Sequence, residues 1–523
     1  MTIPSSAAGV PPTRTRALTR DAWLVPGAFA LAAWLLYLVP GLTGPYGAFI
    51  DELYYVACAK RLAWGYVDHP PLGPFVLRLA MAVGGDSLAV LRLVASTFGA
   101  LTVLGTGLLA ARLGAGRGGQ GLASAAVIGT PVAQVVFGFF SMNAIEPLLW
   151  LALCWIALEL LLGAPPRWWM AFAALAGVAL LTKHTVVTLA VALGIALIVT
   201  PARRLLASPW PWAGAALAAL MLAPHLSWQV QHGWPSLEFY RNAALYKNEP
   251  IGPFGVIAQQ VLFMGPGTLP VWLAGLAFLW RAPNRTLRPL ALVYVVLLLM
   301  LIVSRQSRPD RMLGMYPVLF AAGGAALTHL AASRPWVRLA APAWLGVWTL
   351  ALLPIGIPLL RPDLTARYGQ ALGLVPQMER GEGKRSELPQ WFADRLGWEQ
   401  LVDDVAGIRD ALPSEERGNV IVFAPSYGQA GALEWLGRER GFTRAYSTHN
   451  TYFLWGPPPD QPEVAIVIGN RRERLESIFG EVSLAHIHEC DGCMPWRDEM
   501  PIWIVRRPKV SIADEWAKWK HFE

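Results

Sequence analysis

The sequence predicts a polytopic α-helical membrane protein of about eleven spans, followed by a C-terminal soluble α/β domain. Three observations carry this. Apolar residues make up 54% of the 523 residues and charged residues 15%, against about 45–50% and about 25% in ordinary soluble domains. The imbalance is confined to one region. From Trp23 to about Leu360 long apolar runs alternate with short polar breaks, and beyond Leu360 the composition becomes ordinary. The arginines of the apolar region also fall in alternate loops. The chain therefore divides into a tail over 1–22, a transmembrane part over 23–360 and an outer domain over 361–523.

A helix needs roughly 20 predominantly apolar residues to cross a bilayer. Runs of that kind lie near 23–42, 88–110, 121–140, 145–163, 210–229, 256–280, 288–304, 312–332 and 338–360. The stretch 168–200 holds two more, broken at Thr182-Lys183-His184. With the N-terminus in the cytoplasm, one set of loops carries Arg14, Arg16 and Arg20, then Arg112 and Arg117, Arg167, Arg203 and Arg204, Arg281, Arg285 and Arg288, and Arg334 and Arg338. That is the positive-inside pattern. An odd number of spans then places the C-terminal domain outside, in the periplasm of a cell with an outer membrane.

The net charge of +8 is thereby a matter of topology and no sign of a nucleic-acid partner. Met1–Arg20 is rich in Pro, Ser, Thr and Arg, and the first apolar run lacks a small-residue cleavage site, so the tail is not a cleaved leader. Four cysteines in this length make no disulfide scaffold. The glycine-rich loop Gly114–Gly119 lies between spans with no preceding strand, so it is not a nucleotide site.

The opposite face holds polar groups that topology does not require, and these are the functional candidates. They are the loop 43–87, the Asn143/Glu146 turn, Lys183-His184, the loop 230–255, and Arg305, Arg308 and Arg311. In the first loop Asp51-Glu52-Leu53-Tyr54-Tyr55 is followed by Tyr66-Val67-Asp68-His69-Pro70-Pro71-Leu72. Leu53, Val56, Ala57 and Leu62 between them recur at helical spacing and predict an amphipathic helix on the membrane surface. Asp51 reads either as the N-cap of that helix or as a general base that takes the proton of an attacking hydroxyl. Glu52 projects to another side, so the two do not form a glycosidase pair. A departing phosphate needs cations, and Lys183, His69 and the three arginines are the available donors; for the arginines, lipid-headgroup anchoring is the competing reading.

These motifs, with Leu180-Leu181-Thr182-Lys183 and the later Pro224-His225-x-x-Trp228-Gln229…Gly233-Trp234-Pro235, resemble the bacterial family 39 glycosyltransferases. That family includes protein O-mannosyltransferases and is related to the lipid A aminoarabinose transferases. The resemblance covers roughly 45–320. It implies the GT-C fold, a polyprenyl-phosphate sugar donor, a hydroxyl-bearing acceptor (lipid, protein or glycan) and an inverting single displacement by a hexosyl- or pentosyltransferase of the bacterial inner membrane. By position Asp51 matches the catalytic aspartate and Glu52 its acidic neighbour. Tyr66 and Asp68 match a donor- or metal-proximal tyrosine and acid. His69 stands where some relatives have lysine, Glu146 where relatives often carry aspartate, and Lys183 matches the Thr-Lys motif. Asn143, Tyr54 and Tyr55 are the neighbouring acceptor or cavity residues, and Arg241, in the aromatic and charged loop 230–255, is a further donor-binding candidate. His225 reads as a packed or interfacial histidine. No cofactor is required; a divalent metal held by Asp68 and Glu146 is an open alternative. The competing function is a multi-span lipid or glycolipid transporter or flippase, against which stands the clustering of polar residues at one face without an internal repeat.

In the outer domain, strands are expected at Asn419–Ala424, Val464–Ile468 and Pro501–Val505, and helices at Glu399–Leu412, Gly431–Arg440 and Arg471–Phe479. The aromatic run Tyr446–Gly456 suits a carbohydrate-facing loop and suits packing equally. His486, His488, Cys490 and Cys493 fit either a zinc site or, outside the cytoplasm, a Cys490–Cys493 disulfide.

Overall fold

The computed structural model describes residues 18–248, 250–282, 285–305, 308–374 and 386–523. Most of the predicted tail, with Arg14 and Arg16, lies outside the described residues. The chain forms two compact units. The first comprises Met1–Thr43, Ala89–Ser227 and Glu249–Leu359; the second comprises Gly44–Leu88, Trp228–Asn248 and Leu360–Glu523. The boundary drawn at 360 from composition thus differs from the packing boundary. The loops 43–87 and 230–255, assigned by hydropathy to the membrane part, fold mainly with the C-terminal residues.

The first unit is helical. Among the described residues six helices are long and apolar enough to cross a bilayer: Arg20–Thr43, Leu88–Arg112, Met142–Leu161, Trp210–Gln231, Pro309–Ser333 and Val337–Gly356. Leu220, Leu339, Val347 and Leu350 leave their apolar side chains exposed, as lipid-facing helices do. Two further helix pairs are apolar and long enough only when taken together, and each is bent. Arg117–Ile128 and Pro131–Phe137 meet at 68°, and Pro253–Met264 and Pro266–Arg281 at 91°; in each case a proline starts the second segment, where it has no N–H to give the helix ladder. The expected count of about eleven spans is therefore not reached among the described residues, which give six, or eight with the bent pairs. The run 168–200 becomes two 13-residue helices, Trp168–Leu180 and Val186–Ile198, each rising only about 20 Å.

In the second unit a four-stranded sheet is built from β1 (Ile421–Phe423), β2 (Val464–Ile468), β3 (Phe479–His488) and β4 (Met500–Pro508), in the order β1-β2-β4-β3. β1 and β2 are parallel, and β4 runs antiparallel to both β2 and β3. β2 is buried throughout, which explains its unbroken apolar run. One face packs Val467, Trp503 and Val505 against Leu475, Ile512 and Trp516. Helices Trp398–Asp410, Tyr427–Trp435 and Arg472–Ile478 match three expected elements within a few residues. β3 is not among the strands expected from apolar runs. It is an edge strand whose residues are mostly exposed, so its sequence carries little apolar signal.

Candidate functional site

Each unit holds one cluster of candidate residues. In the second unit the centre is the helix Ile50–Lys60, whose residues Glu52–Ala59 are all buried. The expected surface-lying amphipathic helix is thus corrected to one enclosed by protein. Helix Tyr427–Trp435 covers it at close range: a side chain at Gly431 would meet the Leu53 carbonyl at 2.8 Å, so only glycine permits the approach.

That approach sets the partners of the two acids. Glu52 is fully buried, and its Oε2 accepts the Phe49 backbone N–H at 2.8 Å, capping its own helix. The capping role weighed for Asp51 therefore belongs in part to Glu52. Asp51 is half-buried, and its Oδ1 accepts the Tyr427 hydroxyl at 3.1 Å. The Tyr427 ring stacks on Tyr54 (4.6 Å) and on His449 (4.9 Å).

Tyr54 links this stack to the second motif. Its hydroxyl donates to Asp68 Oδ1 at 2.8 Å and lies 2.5 Å from Thr451 Oγ1. A phenol has one proton, so with Asp68 accepting it, the Thr451 hydroxyl donates to Tyr54 while accepting the Val67 N–H at 3.1 Å. Burial first, and the Asp68 charge second, push the Tyr54 phenol well above its ordinary pKa, which keeps it a neutral donor. His69 is enclosed by Tyr55, stacked at 4.6 Å, and by Tyr66 at 4.7 Å. Its Nδ1 pairs with the Pro70 carbonyl at 3.0 Å, while its buried Nε2 has no hydrogen-bond partner among the described residues. Burial lowers its pKa. His69 therefore enters the cluster as a neutral ring, which weakens its expected role as a phosphate-holding cation.

The loop carrying Tyr66 and Asp68 is pinned. A side chain at Gly65 would collide with the Trp228 ring, so Gly65 is required there. Ser236 accepts from Gln229 at 2.6 Å and reaches the Tyr66 carbonyl. Helix Pro235–Asn242 is held by Asn242 on the Phe522 carbonyl (2.8 Å) and Glu238 on Lys520 (2.8 Å). Arg241 on this helix is exposed. Arg61 binds Glu434 through two contacts, 2.7 and 2.9 Å, under the Trp455 ring. The aromatic run Tyr446–Gly456 thus contributes packing, together with Thr451 and His449.

The cluster of the first unit centres on an ion pair. Glu146, buried on helix Met142–Leu161, accepts Lys183 Nζ at 2.8 Å and also the Thr185 hydroxyl. His184 and His225 pair through their Nε2 atoms at 2.9 Å, so His225 is packed, as expected. Asn143 has its backbone N–H capped by Ser141 at 3.2 Å, and its buried Oδ1 has no partner among the described residues. Arg305 is exposed, and Arg308 and Arg311 are half-buried.

Among the described residues no group of three or more His, Cys, Asp or Glu is placed to hold a metal ion. Asp68 Oδ1 and His69 Nε2 lie 4.0 Å apart, which is two donors and short of a site. Cys490 and Cys493 form a disulfide, so the zinc reading fails for want of free sulfurs. His488 and His486 instead face Asp404, at 2.6 and 3.6 Å.

Sequence reasoning missed Tyr427 and Thr451 as partners of the first loop, and His449 as the ring stacked behind Tyr427. The signal available was indirect, the Gly428-x-x-Gly431 spacing that lets one helix approach another.

Residues 68–228 match the sequence profile of the dolichyl-phosphate-mannose-protein mannosyltransferase family. No curated protein matches the chain by sequence. Among solved structures the chain is similar to ArnT from Cupriavidus metallidurans in the apo state, with a TM-score of 0.58 at 15% identity, covering 92% of this chain and 98% of that one. It is also similar to the same protein bound to undecaprenyl phosphate, with a TM-score of 0.55 at 15% identity, covering 93% and 98%. The chain has the GT-C fold of ArnT over nearly its whole length, as the loop motifs imply.

Proposed function

We propose that the protein is a glycosyltransferase that moves a sugar from a polyprenyl-phosphate donor to a hydroxyl acceptor at the outer face of a bacterial inner membrane. The observation that carries this reading is the ArnT fold over 93% of the chain, joined to a mannosyltransferase-family match over the segment that holds Asp68, His69, Glu146 and Lys183. A lipid-linked donor is supported by what that profile and the ArnT complex name: dolichyl phosphate and undecaprenyl phosphate.

In the proposed reaction the acceptor hydroxyl gives its proton to Asp51, and its oxygen forms a bond to sugar C1 as the bond from C1 to the phosphate oxygen breaks. The electron pair leaves with the polyprenyl phosphate, and a single displacement inverts C1. Asp51 suits the base because it is half-buried and oriented by the Tyr427 hydroxyl. Glu52 is engaged as a cap, so we assign it a structural part. Tyr54, Tyr55, Tyr66 and Asp68 shape the sugar side. Lys183, Arg241, Arg305, Arg308 and Arg311 are the proposed donors to the phosphate, where cations stabilise charge that develops in the transition state. No step is assigned to a metal.

The test is transfer from a synthetic polyprenyl-phosphate sugar by purified wild-type protein and Asp51→Asn. Turnover by the wild type alone supports the reading, and direct use of a nucleotide sugar refutes it. The outer orientation is checked separately. Ser414, exposed in the C-terminal region, is replaced by cysteine and labelled in intact cells with an impermeant maleimide; the native Cys58 and Cys154 are buried. Labelling is expected.

A further inference from the structure

The first unit contains a cavity of about 870 Å³ that no residue singled out for chemistry lines. Its walls come from helices Arg20–Thr43, Arg117–Ile128, Pro309–Ser333 and Val337–Gly356. The lining is apolar along its length, and its charged side chains are Arg117 and Arg338. Thr328 and Thr349 also line it, but their hydroxyls are spent on the carbonyls of Gly324 and Leu345 in their own helices.

The polar chemistry left to a ligand is therefore positive. Arg117 opens helix Arg117–Ile128, whose N-cap is Gly116 and carries no side-chain cap. The first-turn N–H groups of Arg117, Gly118 and Gly119 have no helix partner by construction, and all three residues line the cavity. Asp21 approaches Arg117 at 3.4 Å, with both side chains largely exposed. Two guanidiniums against one carboxylate leave a positive excess. Glycine placement marks the room available. A side chain at Gly119 would collide with the Gly324 carbonyl, so packing requires that glycine. Gly118 and Gly346 also line the cavity, yet a Cβ at either meets nothing within 4 Å. Packing within the chain does not require them, and the space before them is open.

We propose that this cavity seats one anionic phospholipid of the surrounding bilayer, its acyl chains along the apolar walls and its phosphate at Arg117, Arg338 and the first-turn N–H groups. Charge selects the occupant. A zwitterionic lipid brings a choline to a positive site and gains nothing from the excess charge. The site is separate from the transfer reaction, so its test does not depend on the proposed activity.

The experiment uses the full chain, delipidated in detergent and mixed with phosphatidylglycerol or phosphatidylcholine, with bound lipid read by native mass spectrometry. Wild type is expected to retain phosphatidylglycerol in preference. Arg117→Ala/Arg338→Ala is expected to lose that preference by roughly tenfold or more. Gly346→Leu, whose side chain enters open space, is expected to lower retention of both lipids while the unfolding temperature holds. Equal retention of the two lipids by wild type overturns the proposal. So does a preference that survives loss of both arginines, an unchanged occupancy in Gly346→Leu, or co-purification of polyprenyl phosphate at the site in place of phospholipid.

Discussion

The carboxylates of Asp51 and Glu146 keep opposite chemical company. Asp51, in the second unit, is half-buried and accepts the Tyr427 hydroxyl. Glu146, in the first unit, is buried against the Lys183 ammonium and a threonine hydroxyl. Two acids that look interchangeable in the sequence are therefore suited to different work. A carboxylate that accepts from a phenol can still take a proton from a substrate. A carboxylate engaged by a buried cation gives up that pairing when it is protonated, so it serves to hold the lysine in place.

Replacing each acid breaks or sustains this contrast. Asp51→Ala is expected to lower sugar transfer by about 10²–10⁴-fold, the usual worth of general-base catalysis, with insertion and unfolding temperature kept. Near-normal turnover in a folded Asp51→Ala variant would remove Asp51 as the base and end the contrast.

The ion pair answers to a stability measurement. Lys183→Met leaves Glu146 buried without its cation, which costs about 3–5 kcal/mol when one partner of a buried pair is lost. The double variant Lys183→Met/Glu146→Gln removes both charges and is expected to recover most of that loss. Thermal unfolding in one detergent decides it. A single variant as stable as the double one would show that Glu146 is not held by Lys183.

How much of this was legible beforehand follows from where the signals lie. The long apolar spans and β2 were readable, because burial on all sides leaves an unbroken apolar run. The break in 168–200 was readable at Thr182-Lys183-His184, but not the shortness of the helices beside it, since hydropathy does not record where a helix ends. Asp51, Asp68 and Lys183 stood out by residue type and motif. Tyr427, 376 positions from Asp51, and Thr451, 397 from Tyr54, could not: no local pattern announces a partner that only the fold brings near. The amphipathic reading of helix Ile50–Lys60 failed for the same reason, because its covering helix Tyr427–Trp435 comes from the far end of the chain.

The second unit also carries a pH signature of its own. Packing around His449, with His521 close by, pushes its pKa down from 6.5 to about 3. Lys247 lowers it further, while the Glu523 carbonyl works the other way. Folded protein thus binds fewer protons there than unfolded chain between those values. The stability from this neutral ring is complete above pH 6.5 and is lost as pH falls toward 3. At pH 4 the loss is on the order of 2 kcal/mol, reduced from the full shift because the ring is partly exposed. Unfolding of wild type and His449→Gln at pH 7 and pH 4 isolates it: the variant should lose less. Equal losses would mean that the ring is solvated in the folded protein.

The smallest expected effect sharpens the contrast most. Tyr427→Phe keeps the ring stacked between Tyr54 and His449 and deletes one hydroxyl, the donor to Asp51. A hydrogen bond to a charged group contributes about 1.5–3 kcal/mol. Part of that is regained from water, because Asp51 is only half-buried. Turnover should therefore fall by roughly tenfold, through kcat with KM little changed, because the phenol acts on the base and not on the bound donor. Tyr427→Ala should do worse, since it also opens the stack over Tyr54. If Tyr427→Phe matched wild type while Tyr427→Ala did not, the residue would serve by its ring alone. The base would then owe its orientation to the helix that carries it, whose first turn Glu52 caps.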